Sequence, residues 1–99
     1  MSLGPIRIGG ARNGPTLAAV ARYFARTSVA SVRSFELARS LGKPLRRVSA
    51  RLLELALLGH IVVGYDGRWR WGGAVSPAQV AARLERREQI AAAADEVRA

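Results

Sequence analysis

The dipeptide Asp66-Gly67, standing between HIVVGY (residues 60–65) and RWRW (residues 68–71), constrains the fold more than any other stretch. Asp-Gly is a preferred two-residue hairpin turn because both positions tolerate a positive φ. The flanks are β-branched and aromatic, and residues 68–71 alternate strictly between charge and ring. Alternation places Trp69 and Trp71 on one face and Arg68 and Arg70 on the other. In a 99-residue chain with six aromatic residues, the tryptophans are expected to cover the core while the arginines face out. The other use for the rings is an exposed platform on which bases stack.

The stretch ahead of the hairpin reads as a helix over residues 43–59, KPLRRVSARLLELALLG. Pro44 suits the first helical position and Gly59 the left-handed residue that ends a helix. Leu45, Val48, Leu52 and Leu55 fall on one inward stripe, with Lys43, Arg46, Arg47 and Arg51 outside it. A basic outward half over an apolar inward stripe fits a helix that touches nucleic acid. It fits equally an amphipathic helix with a solvated basic face. Before it, Ser34 is the expected N-cap of a short helix, FELARSL, closed by Gly42. So short a link between the two helices reads as helix-turn-helix. Residues 27–33, TSVASVR, fit a short strand or extended connection. Residues 15–27 form a first helix with an inward stripe of Leu17, Val20, Ala21 and Phe24. Residues 1–14, with four glycines and a proline, read as a flexible basic arm. Its Arg7 and Arg12 either follow a nucleic-acid backbone or belong to a tail without a role.

Over roughly residues 15–73 this order of helix, short strand, helix, turn, helix and hairpin resembles the winged-helix family. The matching stretches are SFELARSLG and RLLELALLGHIVVGYDGRWRW. The second stretch is similar to the C-terminal winged helix of bacterial DNA-processing proteins and to those of many small bacterial and archaeal transcription regulators. The resemblance implies an α+β, mostly α fold: a winged helix-turn-helix with a two-stranded β-hairpin wing and a long C-terminal helix. It implies a third helix in the DNA major groove and a wing along the backbone or minor groove. Carried onto this chain, Arg46, Arg47, Ala50 and Arg51 face base edges or phosphates. Arg68 sits at the wing, and Ser34 lies near a phosphate at a helix N-terminus. Base contacts fall to Arg47 and Arg51. Phosphate neutralisation falls to Arg22, Arg39, Lys43, Arg46, Arg68 and Arg70.

Charge agrees with such a partner without selecting it. The chain carries 16 Lys+Arg against 7 Asp+Glu, net +9. Residues 1–75 hold 12 basic and 3 acidic side chains, and residues 76–99 hold 4 of each, so the excess belongs to the first three quarters. Such a surface attracts phosphate backbones, and it attracts anionic membranes and acidic proteins as well. Fifteen of the cations are Arg, a residue suited to bidentate phosphate and guanine contacts.

Other classes of function find little support. There is no cysteine and one histidine, so neither a disulfide framework nor a protein zinc site is expected. His60 lacks a partner for base–nucleophile work, and no phosphate-cradling glycine motif occurs. The expectation is a non-enzymatic cytoplasmic protein without cofactor, metal or membrane span, bound to double-stranded DNA as a small transcription regulator. Two alternatives remain. One is an RNA-bound, ribosomal-type structural protein, and the other a protein-interaction module.

The last segment accounts for an oddity of the third helix. Leu53 and Leu57 stack at i, i+4 on the side of Arg46 and Ala50, and exposed leucines there need a cover. Residues 76–99 form a helix entered through Ser76-Pro77-Ala78-Gln79. At about 22 residues and roughly 33 Å it exceeds what one small core needs. It is expected to dimerise, with Val80, Leu84, Ile90, Ala91, Ala94 and Val97 joining Leu53 and Leu57 at a homodimer interface; the alternative is that it packs solely on its own domain. Glu85 and Glu88 are expected to pair with Arg83 and Arg87 along that helix. The organisation is thus an arm (1–14), a winged-helix domain (15–75) and a dimerisation helix (76–99).

Overall fold

A computed structural model of the protein describes residues 14–26 and 31–98. Nearly all of the arm, with Arg7 and Arg12, and the first part of the connection at residues 27–30 lie outside the described residues. The described chain forms α1 (Leu17–Arg26), α2 (Ser34–Leu41), α3 (Leu45–Leu57), β1 (Ile61–Val63), β2 (Trp69–Trp71) and α4 (Pro77–Arg98). The fold is α+β and mostly α, with one two-stranded antiparallel sheet.

Helix ends follow from local chemistry. Thr16 Oγ1 accepts the Ala19 N–H at 3.0 Å and so caps α1. The helices α2 and α3 both stop at a left-handed glycine, Gly42 at φ 64 and Gly59 at φ 87. Behind each, the next amide turns back into the last turn: Lys43 N–H donates to Ala38 O at 3.1 Å and His60 N–H to Leu55 O at 3.0 Å. Two residues differ from their expected places. Pro44 is the N-cap of α3, extended at ψ 135, and its carbonyl accepts the Arg47 and Val48 amides. Arg33, not Ser34, is the N-cap of α2, and Glu36 reaches back to accept its N–H at 2.9 Å.

The hairpin also differs from the simplest expectation. Ile61 pairs with Trp71, Val62 with Arg70 and Val63 with Trp69. Gly64 and Arg68 continue this ladder, since Gly64 N–H donates to Arg68 O at 2.9 Å. The loop is therefore three residues, Tyr65 to Gly67, closed by Gly67 N–H to Gly64 O with Gly67 at φ 77. A two-residue turn at Asp66-Gly67 slips the pairing by one and sets Trp69 opposite a glycine. The longer loop sets both tryptophans opposite Ile61 and Val63. Val32 adds a single antiparallel bridge to Trp69 on the other edge of β2.

One core joins all elements. Val20, Leu37, Val48, Leu52, Leu55 and Ile61 are fully buried. Trp69 is buried among them and Trp71 is half-buried, its ring 5.7 Å from Phe24 and stacked on His60 at 5.5 Å. The rings thus serve the core rather than a base-stacking platform. Leu45 was expected inward but is half exposed, because the turn at Pro44 starts the helix beyond the reach of the core.

The first half of α4 belongs to the same core. Val80, Ala81 and Leu84 are buried, and Ala18 and Ala21 of α1 are buried with them. Alanines at this crossing let the helices approach closely. Two carboxylates fasten it. Glu85 pairs with Arg22 at 2.5 Å, and Glu88 accepts the Ala18 N–H at 3.3 Å at the amide-rich end of α1. This replaces the expected pairing of Glu85 and Glu88 with Arg83 and Arg87, because the long-range partners are held in place by packing. It also corrects the expected interface: Val80 and Leu84 are already buried inside the chain rather than held free for a second copy. Beyond Glu88 every residue from Gln89 to Val97 is exposed, and the protein is elongated at 46 × 25 × 21 Å.

Candidate nucleic-acid interface

The outer face of α3 lies opposite its buried stripe of Val48, Leu52 and Leu55. At 100° per residue the centre of that face is Arg46, Ala50, Leu53 and Leu57, and all four are exposed. It is basic at its N-terminal end and apolar at its C-terminal end. Lys43 and Arg47 extend the basic end, both exposed. Among the described residues none of Lys43, Arg46, Arg47 and the neighbouring Arg39 has a carboxylate partner.

The other cations expected at the interface are engaged within the chain. Arg51 pairs with Glu54, and its Nε donates to Pro15 O at 3.3 Å. It therefore sits on the flank of α3 that meets the entry to α1, away from the centre of the outer face. Arg47 borders the same flank: a side chain added at Gly14 would come within 3.0 Å of its Cβ. Arg22, expected on phosphate, is held by Glu85. Arg68 lies 3.7 Å from Glu36 and Arg70 2.8 Å from Asp66. Ser34 accepts the Trp69 indole N–H at 3.1 Å, so its oxygen ties the hairpin to the start of α2. Half-exposed ion pairs of this kind add little to stability.

The hairpin tip is ordered by Asp66. Its carboxylate accepts from Arg70 Nη2 at 2.8 Å and from the Arg68 N–H at 3.1 Å. The Arg70 hydrogen bond, helped by the Arg68 amide, lowers the Asp66 pKa from 3.8 to about 2. A lowered carboxylate pKa means the contact is fully present above about pH 4 and lost as pH falls through about 2. In an NMR titration the Gly67 and Arg68 amide shifts should move with a midpoint near 2. A midpoint at 3.8 would mean that Arg70 does not hold the loop. Tyr65 stands fully exposed beside it at the start of the three-residue loop, a placement that appears only once the register is known.

No family model, curated protein or solved structure matches the chain.

Among the described residues no helix is long and apolar enough to cross a membrane, and no group of three or more His, Cys, Asp or Glu is placed to hold a metal ion. His60 stacks on Trp71 at an interplanar angle of 6°, a packing contact.

Proposed function

We propose that this protein binds double-stranded DNA as a winged-helix module, with the N-terminal half of α3 in the major groove and the β1–β2 loop along the backbone. The observation that carries the reading is the division of labour among the arginines. Arg22, Arg51, Arg68 and Arg70 each meet a carboxylate of the chain, whereas Lys43, Arg46 and Arg47 stand together, exposed and unpaired among the described residues, at one end of one helix. Helix-turn-helix proteins read base edges with the N-terminal residues of such a helix. The order of α1, the Val32 bridge, α2, the tight Gly42 turn, α3 and the hairpin supports the winged-helix assignment. A net charge of +9 supplies the non-specific attraction. Arg46 and Ala50 take the central, base-facing positions, Arg47 and Lys43 contact phosphates, and Arg51 positions the entry to α1. Regulation of transcription is the role we propose for such a module.

The test is fluorescence anisotropy with a random 30-base-pair duplex and with a structured RNA, each titrated across salt. At roughly 0.9 per phosphate contact, Lys43 and Arg47 alone produce a log–log slope of about −2 on duplex DNA. Preference for the RNA would move the protein to an RNA-bound role. No binding to either at physiological salt would turn attention to Leu53 and Leu57 as a protein-docking stripe.

A further inference from the structure

The second half of α4 is helical, yet nothing among the described residues covers it. Every residue from Gln89 to Val97 is exposed, including Ile90 and Val97. A helix of this length gains most of its stability from packing an apolar face. The segment is also electrically distinct. Residues 88–97 carry Glu88, Asp95 and Glu96 and no cation, inside a chain of net charge +9. Glu88 is turned to the Ala18 amide, so Asp95 and Glu96 are its outward charges.

A matching receptor lies on the first half of the same helix. An open cleft of about 500 Å³ runs between the end of α3 and α4. Leu58, Val80 and Leu84 line its apolar part, and Arg83, Arg86 and Arg87 its charged part. Among the described residues none of these three arginines has a carboxylate partner. Leu58, itself half exposed, is the leucine of the α3 end that faces this cleft.

We propose that the projecting half of α4 docks on the Leu58–Arg83–Arg87 cleft of a second copy, forming a two-fold dimer with antiparallel α4 helices. Cleft and projecting end share one helix, with Arg83, Arg86 and Arg87 in its first half and Asp95 and Glu96 near its end, ahead of Arg98, so the antiparallel arrangement sets these opposite charges at the same level. Crossing near Ala91 brings Arg86 and Arg87 level with Glu96 and Asp95 of the second copy. The run Ala91 to Ala94 allows the helices to come close there. One patch serves both copies, which is what a closed two-fold interface requires. Burial of Leu58, Ile90 and Val97 supplies affinity, while the charges set direction and exclude the parallel pairing. The expected use of Leu53 and Leu57 in dimerisation is replaced by Leu58. The interface is independent of the DNA reading, and its test contains no nucleic acid.

The experiment is light scattering coupled to size exclusion at about 100 µM, with circular dichroism to verify helix content. Wild type is expected to elute as a dimer. A triple variant, Arg83→Glu/Arg86→Glu/Arg87→Glu, sets acid against acid and is expected to be monomeric. So is Asp95→Arg/Glu96→Arg, which sets base against base. Mixed one to one, the two variants restore both contacts and are expected to form a 1:1 heterodimer. Monomeric wild type, dimeric single-set variants of native helix content, or a mixture that stays monomeric would each overturn the proposal.

Discussion

Trp69→Ala is expected to remove about 3–5 kcal/mol of stability, the usual cost of deleting a large buried aromatic side chain. Domains of this size hold roughly 5–15 kcal/mol in total, so the midpoint of a thermal melt should fall by roughly 20 °C. The position explains the size of the effect. Trp69 is buried beneath the hairpin, its backbone exchanges two hydrogen bonds with Val32 at 2.7 and 3.0 Å, and its indole N–H donates to Ser34 Oγ. One residue therefore ties together the connection before α2, the start of α2 and the strand β2, its side chain supplying the bond to Ser34 and the core contact. Trp69→Phe keeps a ring but loses the indole donor and some volume, with an expected cost of about 1–2 kcal/mol. Calorimetry separates the two substitutions. An equal loss for both would mean that the hydrogen bond to Ser34, rather than ring volume, dominates.

The second large effect is on binding. Arg46→Ala/Arg47→Ala is expected to weaken duplex DNA binding by about 2–4 kcal/mol, roughly 30- to 1000-fold, and to flatten the salt slope by about 1 to 2. Both side chains are exposed at the free end of α3, so the melting temperature should not move. Arg22→Ala is the contrasting case. Arg22 already pairs with Glu85 across α1 and α4, and its loss should loosen that crossing while leaving the DNA affinity within about threefold. If the two substitutions weakened DNA equally, the basic end of α3 would have no special role and binding would follow total charge.

These expectations differ in how far the residues alone support them. Periodicity and caps locate the helices because both are local: Thr16, Gly42, Gly59 and Ser76 act on amides and carbonyls within a turn of themselves. The inward face of α3 was legible for the same reason, with Val48, Leu52 and Leu55 spaced for one stripe. The binding face was legible only as a set of arginines. Which of them are free depends on carboxylates far along the chain, and the Arg22–Glu85 contact spans 63 positions.

The hairpin shows where the boundary falls. From the residues alone come the existence of the turn, the direction of the tryptophans and the helical nature of residues 77–98, because propensity, alternation and capping are short-range. Tertiary structure decided the three-residue loop, since only the core can prefer Ile61 over Val62 as the partner of Trp71. It decided that Val80 and Leu84 serve α1 rather than a second subunit, since an apolar helix face does not encode which surface will cover it. And among the described residues it left Lys43, Arg46 and Arg47 unpaired while binding Arg51 to Glu54 and Pro15, because charge is a property of residues but its availability is a property of their neighbours in space.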